Sequence, residues 1–156
     1  MGGQFDWHPW NAGGTWSFKL NDPKHVLNRA FKGKGFWLKD EIYQYKPETF
    51  VGADEIRILI SLDLSKDQTM GPLKRNEGLR KQYTEGGRYV PVSWLRKFQG
   101  GRVFYSSLGH NNSLFWNPGV LKHYLDGLQY ALGDLAADAT PTSKIKRTAV
   151  LAPAKP

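Results

Sequence analysis

The sequence predicts a mixed α/β fold, either part of a layered α/β domain or an α+β unit, and three observations predict it. Residues 55–64 alternate apolar and polar side chains with the two-residue period of a strand. Residues 90–109 hold two β-rich runs on either side of a glycine turn. One strong helix pattern follows Asn117, and nothing comparable precedes it. A three-layer α/β domain alternates strands and helices evenly, so several strands with a single helix make a lopsided set.

The elements follow in chain order. Residues 15–20 (TWSFKL) and 41–45 (EIYQY) are aromatic and β-branched, as short strands require. Residues 23–31 read as a short helix or turn. In residues 55–64 (EIRILISLDL) one face carries Ile56, Ile58, Ile60, Leu62 and Leu64. The other carries Arg57, Leu59, Ser61 and Asp63, which predicts a half-buried antiparallel or edge strand. Residues 66–87 are charged, contain glycine and are poor in apolar side chains, so they read as a long mobile loop. VPVSWLRKF and RVFYSSLG then flank Gln99-Gly100-Gly101 as a hairpin, since glycine accepts the positive φ angles of tight turns.

The helix begins at Asn117, a good N-cap, with Pro118 in the first turn where its missing N–H costs nothing. Val120, Leu121, Tyr124, Leu125, Leu128, Ala131 and Leu132 repeat at helical spacing, and Gly133 supplies the stop. Residues 1–135 thus form one domain, and 136–156, rich in Ala, Thr, Pro and Lys, an extended or disordered tail.

A length of 156 residues suits one domain with an ordinary core. With no cysteine, disulfides, Cys-ligated zinc and thiol nucleophiles are excluded. No apolar run is long enough to span a bilayer, and the N-terminus lacks the pattern of a signal peptide. The expectation is a soluble protein, cytoplasmic as written. The net charge of +8 is spread in small groups with acids between most of them. That distribution favours a solvated surface over a nucleic-acid partner.

Chemistry must come from the remaining side chains. No G-x-S-x-G elbow exists, and Ser106 and Ser107 read as strand packing. His123 reads as a helix-flank residue and His25 as a surface one. His8 and His110 sit in loops among glycines and aromatics, where imidazole could serve as general acid/base or metal ligand. Asp40 and Glu41 form an adjacent carboxylate pair entering an apolar strand. Neighbouring strand residues face opposite ways, so one of them can serve a given pocket; Glu41 could orient a histidine or act as a base. There is no H-E-x-x-H motif and no phosphate-binding glycine loop. No cofactor is assigned; a divalent metal at His8 and His110 stays open as an alternative. Trp7, Trp10, Trp16, Trp37 and Trp116 lie in or beside expected loops, and aromatic faces near Asn, Asp and His suit a sugar-like ligand.

Five segments in this order carry a more specific signal: GGQFDWHPW, FWLKDEIYQY, ILISLDLS, VPVSWLRKFQGGRVFYSSLGH and NPGVLKHYLDGLQYALGDL. Over residues 2–138 they resemble ThuA-like proteins, the trehalose-utilisation family. The W-x-R-K-[FY]-x-x-GRVFY-x-x-LGH block is the most specific part. The resemblance implies a partial flavodoxin-like sheet, as in class I glutamine amidotransferases, with the hairpin and C-terminal helix appended. It implies a role in trehalose or keto-sugar metabolism without the amidotransferase cysteine. Family members carry further residues ahead of GGQF, so this chain is expected to be a C-terminal portion lacking the first parallel βα units.

The implied site places His110, the LGH histidine, as general acid/base with Glu41 orienting it or sharing its proton. His8, Trp7, Trp10, Trp116, Asp40 and Asn111 would line the substrate pocket. The reaction expected is hydrolysis or isomerisation of a carbohydrate or related polar small molecule. A non-catalytic sugar- or partner-binding module and a metal-dependent ester or lactone hydrolase are the alternatives. An exposed sheet edge and apolar face would favour a homo-oligomer.

Overall fold

The computed structural model describes residues 2–84 and 89–155. Two antiparallel sheets organise it. Strands β1 (Phe5–Trp10) and β4 (Ile42–Tyr45) form a separate two-stranded ribbon. Strands β2 (Thr15–Leu20), β3 (Phe36–Lys39), β5 (Arg57–Leu62), β6 (Pro91–Phe98) and β7 (Gly101–Ser106) build a five-stranded sheet in the order β3-β2-β5-β6-β7. Helices α1 (Asp67–Lys74) and α2 (Glu77–Thr84) connect β5 to β6, and α3 (Pro118–Leu132) follows β7. The fold is mixed α/β, with every strand pair among the described residues antiparallel.

The hairpin forms where glycine placed it. Phe98 pairs with Gly101, leaving Gln99 and Gly100 as a two-residue loop. Both have positive φ, 48° and 78°, the type I′ geometry that matches strand twist. Helix α3 also follows its signals: Asn117 accepts the N–H groups of Gly119 and Val120, and Gly133 closes the helix at φ 101°.

Strand β5 departs from the half-buried reading. It lies third in the five-stranded sheet, not at an edge, and all six of its residues are buried. Its polar face is covered because its polar side chains find internal partners, with only Arg57 Nε among them buried without one. The Arg57 guanidinium donates to Asp22 at 2.5 Å and Ser61 donates to Asn21. Asp63, just beyond the strand, accepts the backbone N–H of Ala152. Buried polar groups persist when they are paired this way.

The segment read as a loop over 66–87 contains α1 and α2; residues 85–87 lie outside the described residues. A few anchors override its polar composition. Thr69, Leu73 and Tyr83 are buried, Trp10 donates to the Thr69 carbonyl, and the Thr69 hydroxyl lies 2.6 Å from that of Ser17. Residues 136–155 run mostly extended against the body rather than free. Val150 and Leu20 exchange backbone hydrogen bonds, and Trp37 donates to the Pro153 carbonyl.

The main core gathers β2, β5, β6 and the inner face of α3; a smaller cluster holds Tyr45, Ile56, Ile58 and Trp94. Leu121, Leu125, Leu128 and Leu132 on the other face of α3 are exposed. Among the described residues no helix is long and apolar enough to cross a membrane.

Candidate functional site

The site forms where the ends of β3, β4 and β7 meet. Asp40 and Glu41 join β3 to β4, and Gly109, His110 and Asn111 follow β7. Asp40 is fully buried, and its two carboxylate oxygens accept the backbone N–H groups of Gly109 at 2.7 Å and Asn111 at 2.8 Å. One carboxylate therefore grips the loop on both sides of His110. The Asn111 amide reinforces the grip by donating to the carbonyls of Ala12 and Lys39, each at 2.9 Å. Gly109 stands at φ 115°, a left-handed conformation, and a side chain there would also press on Tyr124 and Phe115.

The neighbouring carboxylate faces the other way. Glu41 places Oε1 3.4 Å from His110 Nδ1 and Oε2 3.5 Å from His8 Nδ1, so it stands between two imidazoles. These separations are longer than a formed hydrogen bond, and His8 Nδ1 is buried without one. The Glu41 side chain is 14% exposed, whereas that of His110 is 45% exposed. A sheltered carboxylate behind an accessible imidazole is an arrangement that can support proton transfer.

Other groups complete the surroundings. Trp7 stacks on His8 with ring centroids 4.5 Å apart, and is itself 57% exposed. Phe5 meets Tyr43 edge-on. Burial, followed by the charges of Glu41 and Asp40, pushes the Tyr43 phenol above its ordinary value, so it remains a hydroxyl at neutral pH. The Trp16 indole donates to the Asp40 carbonyl at 2.8 Å, and the Tyr124 hydroxyl donates to the Leu108 carbonyl. Sequence reasoning missed Tyr43 and Tyr124, and named Trp16 only as one of the tryptophans that suit a sugar-like ligand. Trp16 and Tyr124 hold the backbone on either side of the pair from distant strand and helix positions, and no local motif marks such contacts.

Several expectations are corrected. Trp10 cannot line a pocket: it is fully buried, with its indole N–H engaged by Thr69. Asp40 has both oxygens committed to backbone, so it positions the loop rather than touching a ligand. Trp116 is 84% exposed. His25 is not a surface residue, and His123 lies in the core rather than on the helix flank. His25 caps the turn at Val26–Phe31, and its Nε2 lies 2.9 Å from the Asp138 carbonyl. His123 is fully buried, with Nδ1 2.7 Å from the Leu27 carbonyl and Nε2 2.8 Å from Ser93 Oγ.

Among the described residues, no group of three or more His, Asp or Glu is arranged to hold a metal ion. Glu41 sits between the two histidines, whereas a shared ion requires all three to converge on one point. Two cavities elsewhere, of 660 and 830 Å³, are lined by none of the three.

No curated protein and no solved structure matches the chain. A family model described as trehalose utilisation matches residues 1–131. That span contains the Asp40–Glu41 pair, both histidines of the site and all of α3 but its last residue. The chain belongs to the ThuA, or trehalose utilisation, family.

Proposed function

We propose that this protein acts on a carbohydrate or related polar small molecule, by hydrolysis or isomerisation, with His110 as general acid/base. The observation that carries this reading is Glu41 Oε1 at 3.4 Å from His110 Nδ1, a sheltered carboxylate behind an exposed ring. A proton held at Nδ1 would be stabilised by Glu41, leaving Nε2 to exchange a proton with the substrate. His8 stands beside the carboxylate, and Trp7, stacked on it, offers an exposed aromatic face. Family membership supports the carbohydrate class.

The test is turnover of His110→Ala over a panel of sugars, keto-sugars and lactones, with and without divalent metal. A fall of roughly 10² or more is expected for a lost acid/base. Unchanged turnover of an identified substrate removes His110 from the mechanism.

A second reading, a non-catalytic binding module, is favoured by the openness of the pair, which neither of the two cavities encloses. Binding of a sugar without turnover would select it. The flavodoxin-like architecture implied by the family is part of the proposal. The strand pairs here are antiparallel, so the parallel strands of that fold would have to come from elsewhere. Self-association belongs to the proposal as well: Leu121, Leu125, Leu128 and Leu132 follow the 4-3-4 spacing of a helix–helix seam and are exposed.

A further inference from the structure

The 830 Å³ cavity lies where the C-terminal segment crosses the turn that follows β2. That turn contributes Asp22, Lys24 and His25, and β5 contributes Arg57. Asp138, Lys146 and Arg147 close it from the segment. We propose that this cavity binds a phosphate monoester, which ties the segment to the body.

The charges argue for the phosphate group. Four cations, Lys24, Arg57, Lys146 and Arg147, line the space with two carboxylates, Asp22 and Asp138. Both carboxylates are already engaged. Asp22 accepts Arg57 Nη2 at 2.5 Å and lies 3.4 Å from Arg147 Nε. Asp138 accepts the backbone N–H of Thr140 at 2.9 Å and lies 3.5 Å from Arg57 Nη1. Lys24 and Lys146 are exposed and take part in no ion pair among the described residues. Two cations are therefore left for a ligand, and a dianion matches them better than a monoanion.

The floor carries a second, independent signal. Arg57 is fully buried, and its Nε has no hydrogen-bond partner. A buried donor without an acceptor is what a ligand oxygen would complete. The segment is held more firmly at its start than further on. His25 Nδ1 accepts the Leu27 N–H, which leaves Nε2 to donate to the Asp138 carbonyl at 2.9 Å. Arg57 Nη1 donates to the Thr140 carbonyl at 3.2 Å. Arg147 approaches the turn at 3.4 Å, longer than a formed hydrogen bond, so an anion between Lys24 and Lys146 would add the missing tie. Pro23, Val26, Ala136 and Ala137 give the cavity apolar walls, and its volume suits an organic group beside the phosphate. The inference does not rest on the carbohydrate reading, and it places a ligand away from His110.

An NMR titration of the full chain at pH 8 tests it, with phenyl phosphate, inorganic phosphate and benzoate as probes. Phenyl phosphate should shift the amides of Lys24, His25, Ala137 and Arg147, and it should bind more tightly than the other two. Lys24→Gln and Lys146→Gln, both exposed, should each weaken it roughly two- to fivefold, the scale of one solvent-exposed ion pair. Lys39→Gln is the control: Lys39 pairs with Thr15 at the opposite end of β2, and its loss should leave the affinity unchanged. The bound ester should slow hydrogen exchange at the amides of Lys146 and Arg147. His110→Ala should leave these results in place even if it abolishes turnover, so failure of the catalytic reading and failure of this one are distinguishable. No shift at these amides with saturating phenyl phosphate would overturn the proposal. So would equal weakening by Lys39→Gln, tighter binding of benzoate or inorganic phosphate, or unchanged exchange at Lys146 and Arg147.

Discussion

Asp40 and Gly109 meet through a 2.7 Å hydrogen bond from backbone N–H to carboxylate, and this contact fixes the loop from which His110 projects. The second carboxylate oxygen holds Asn111 in the same way, so the loop is tied on both sides of the histidine. In Asp40→Asn one oxygen becomes an amide group that can only donate, and one of the two N–H groups loses its acceptor. The expected cost is about 2 kcal/mol, the scale of a hydrogen bond to a charged group. Urea unfolding reads that loss. Asp40→Asn should also lower turnover although its side chain has no free oxygen to offer a ligand; full activity with full stability would refute the positioning role.

His123 makes stability depend on pH. Burial is the main cause that lowers it from 6.5 to about 4, against the opposing hydrogen bond to the Leu27 carbonyl. Between these values the unfolded chain binds a proton that the folded chain does not. The stabilisation is complete above pH 6.5 and is lost as the pH falls toward 4, amounting to roughly 3 kcal/mol. Burial also lowers His25, so it adds to the loss in the same direction. Chemical denaturation at pH 7 and pH 4.5 measures the sum, and His123→Gln should flatten the dependence. A His123 ring resonance, assigned by its loss in His123→Gln, that titrates near 6.5 in the folded protein would contradict the assignment.

The C-terminal segment rests on a close backbone approach at Gly35. A Cβ there would stand 2.6 Å from backbone atoms of Leu151 and Ala152. Gly35→Ala should displace that segment and break the bonds from Ala152 to Asp63 and from Trp37 to Pro153. Overpacking of this kind costs about 1–3 kcal/mol. Limited proteolysis should cut near residue 150 faster in the variant; equal rates would show that the approach is looser than described.

These contacts explain which features could be read in the sequence. The hairpin and α3 were legible because their signals are local: Gln99-Gly100 sets the turn and Asn117 and Gly133 set the helix limits. The pairing of Glu41 with His110 was legible through the family resemblance. Asp40 was seen but misassigned, because the partners that bury it lie about seventy residues away in the chain. Trp10 and His123 were misplaced for the same reason. Burial is decided by what packs from elsewhere, and neither Thr69 nor Leu27 is a sequence neighbour of the group it engages. Helices α1 and α2 were lost because three buried side chains anchor sixteen helical residues, too few to give a periodic pattern.

The exposed leucines of α3 give a test of association. Leu125→Lys with Leu128→Lys should shift the protein toward monomer in sedimentation velocity, with little loss of stability because both side chains are about half exposed or more. A parent protein that sediments as a monomer at all concentrations ends the self-association proposal.

Glu41 separates a proton-sharing carboxylate from a merely structural one. Glu41→Gln keeps the size of the side chain but cannot hold a charge beside His110 or His8. Turnover should fall by roughly 10²-fold, the lower scale for acid–base support, with KM little changed. Stability should hardly move, because neither imidazole makes a closed hydrogen bond to this carboxylate: the separations are 3.4 and 3.5 Å. Loss of stability with turnover preserved would make Glu41 a packing residue. The two histidines would then be neighbours of a structural carboxylate rather than parts of a proton-transferring pair.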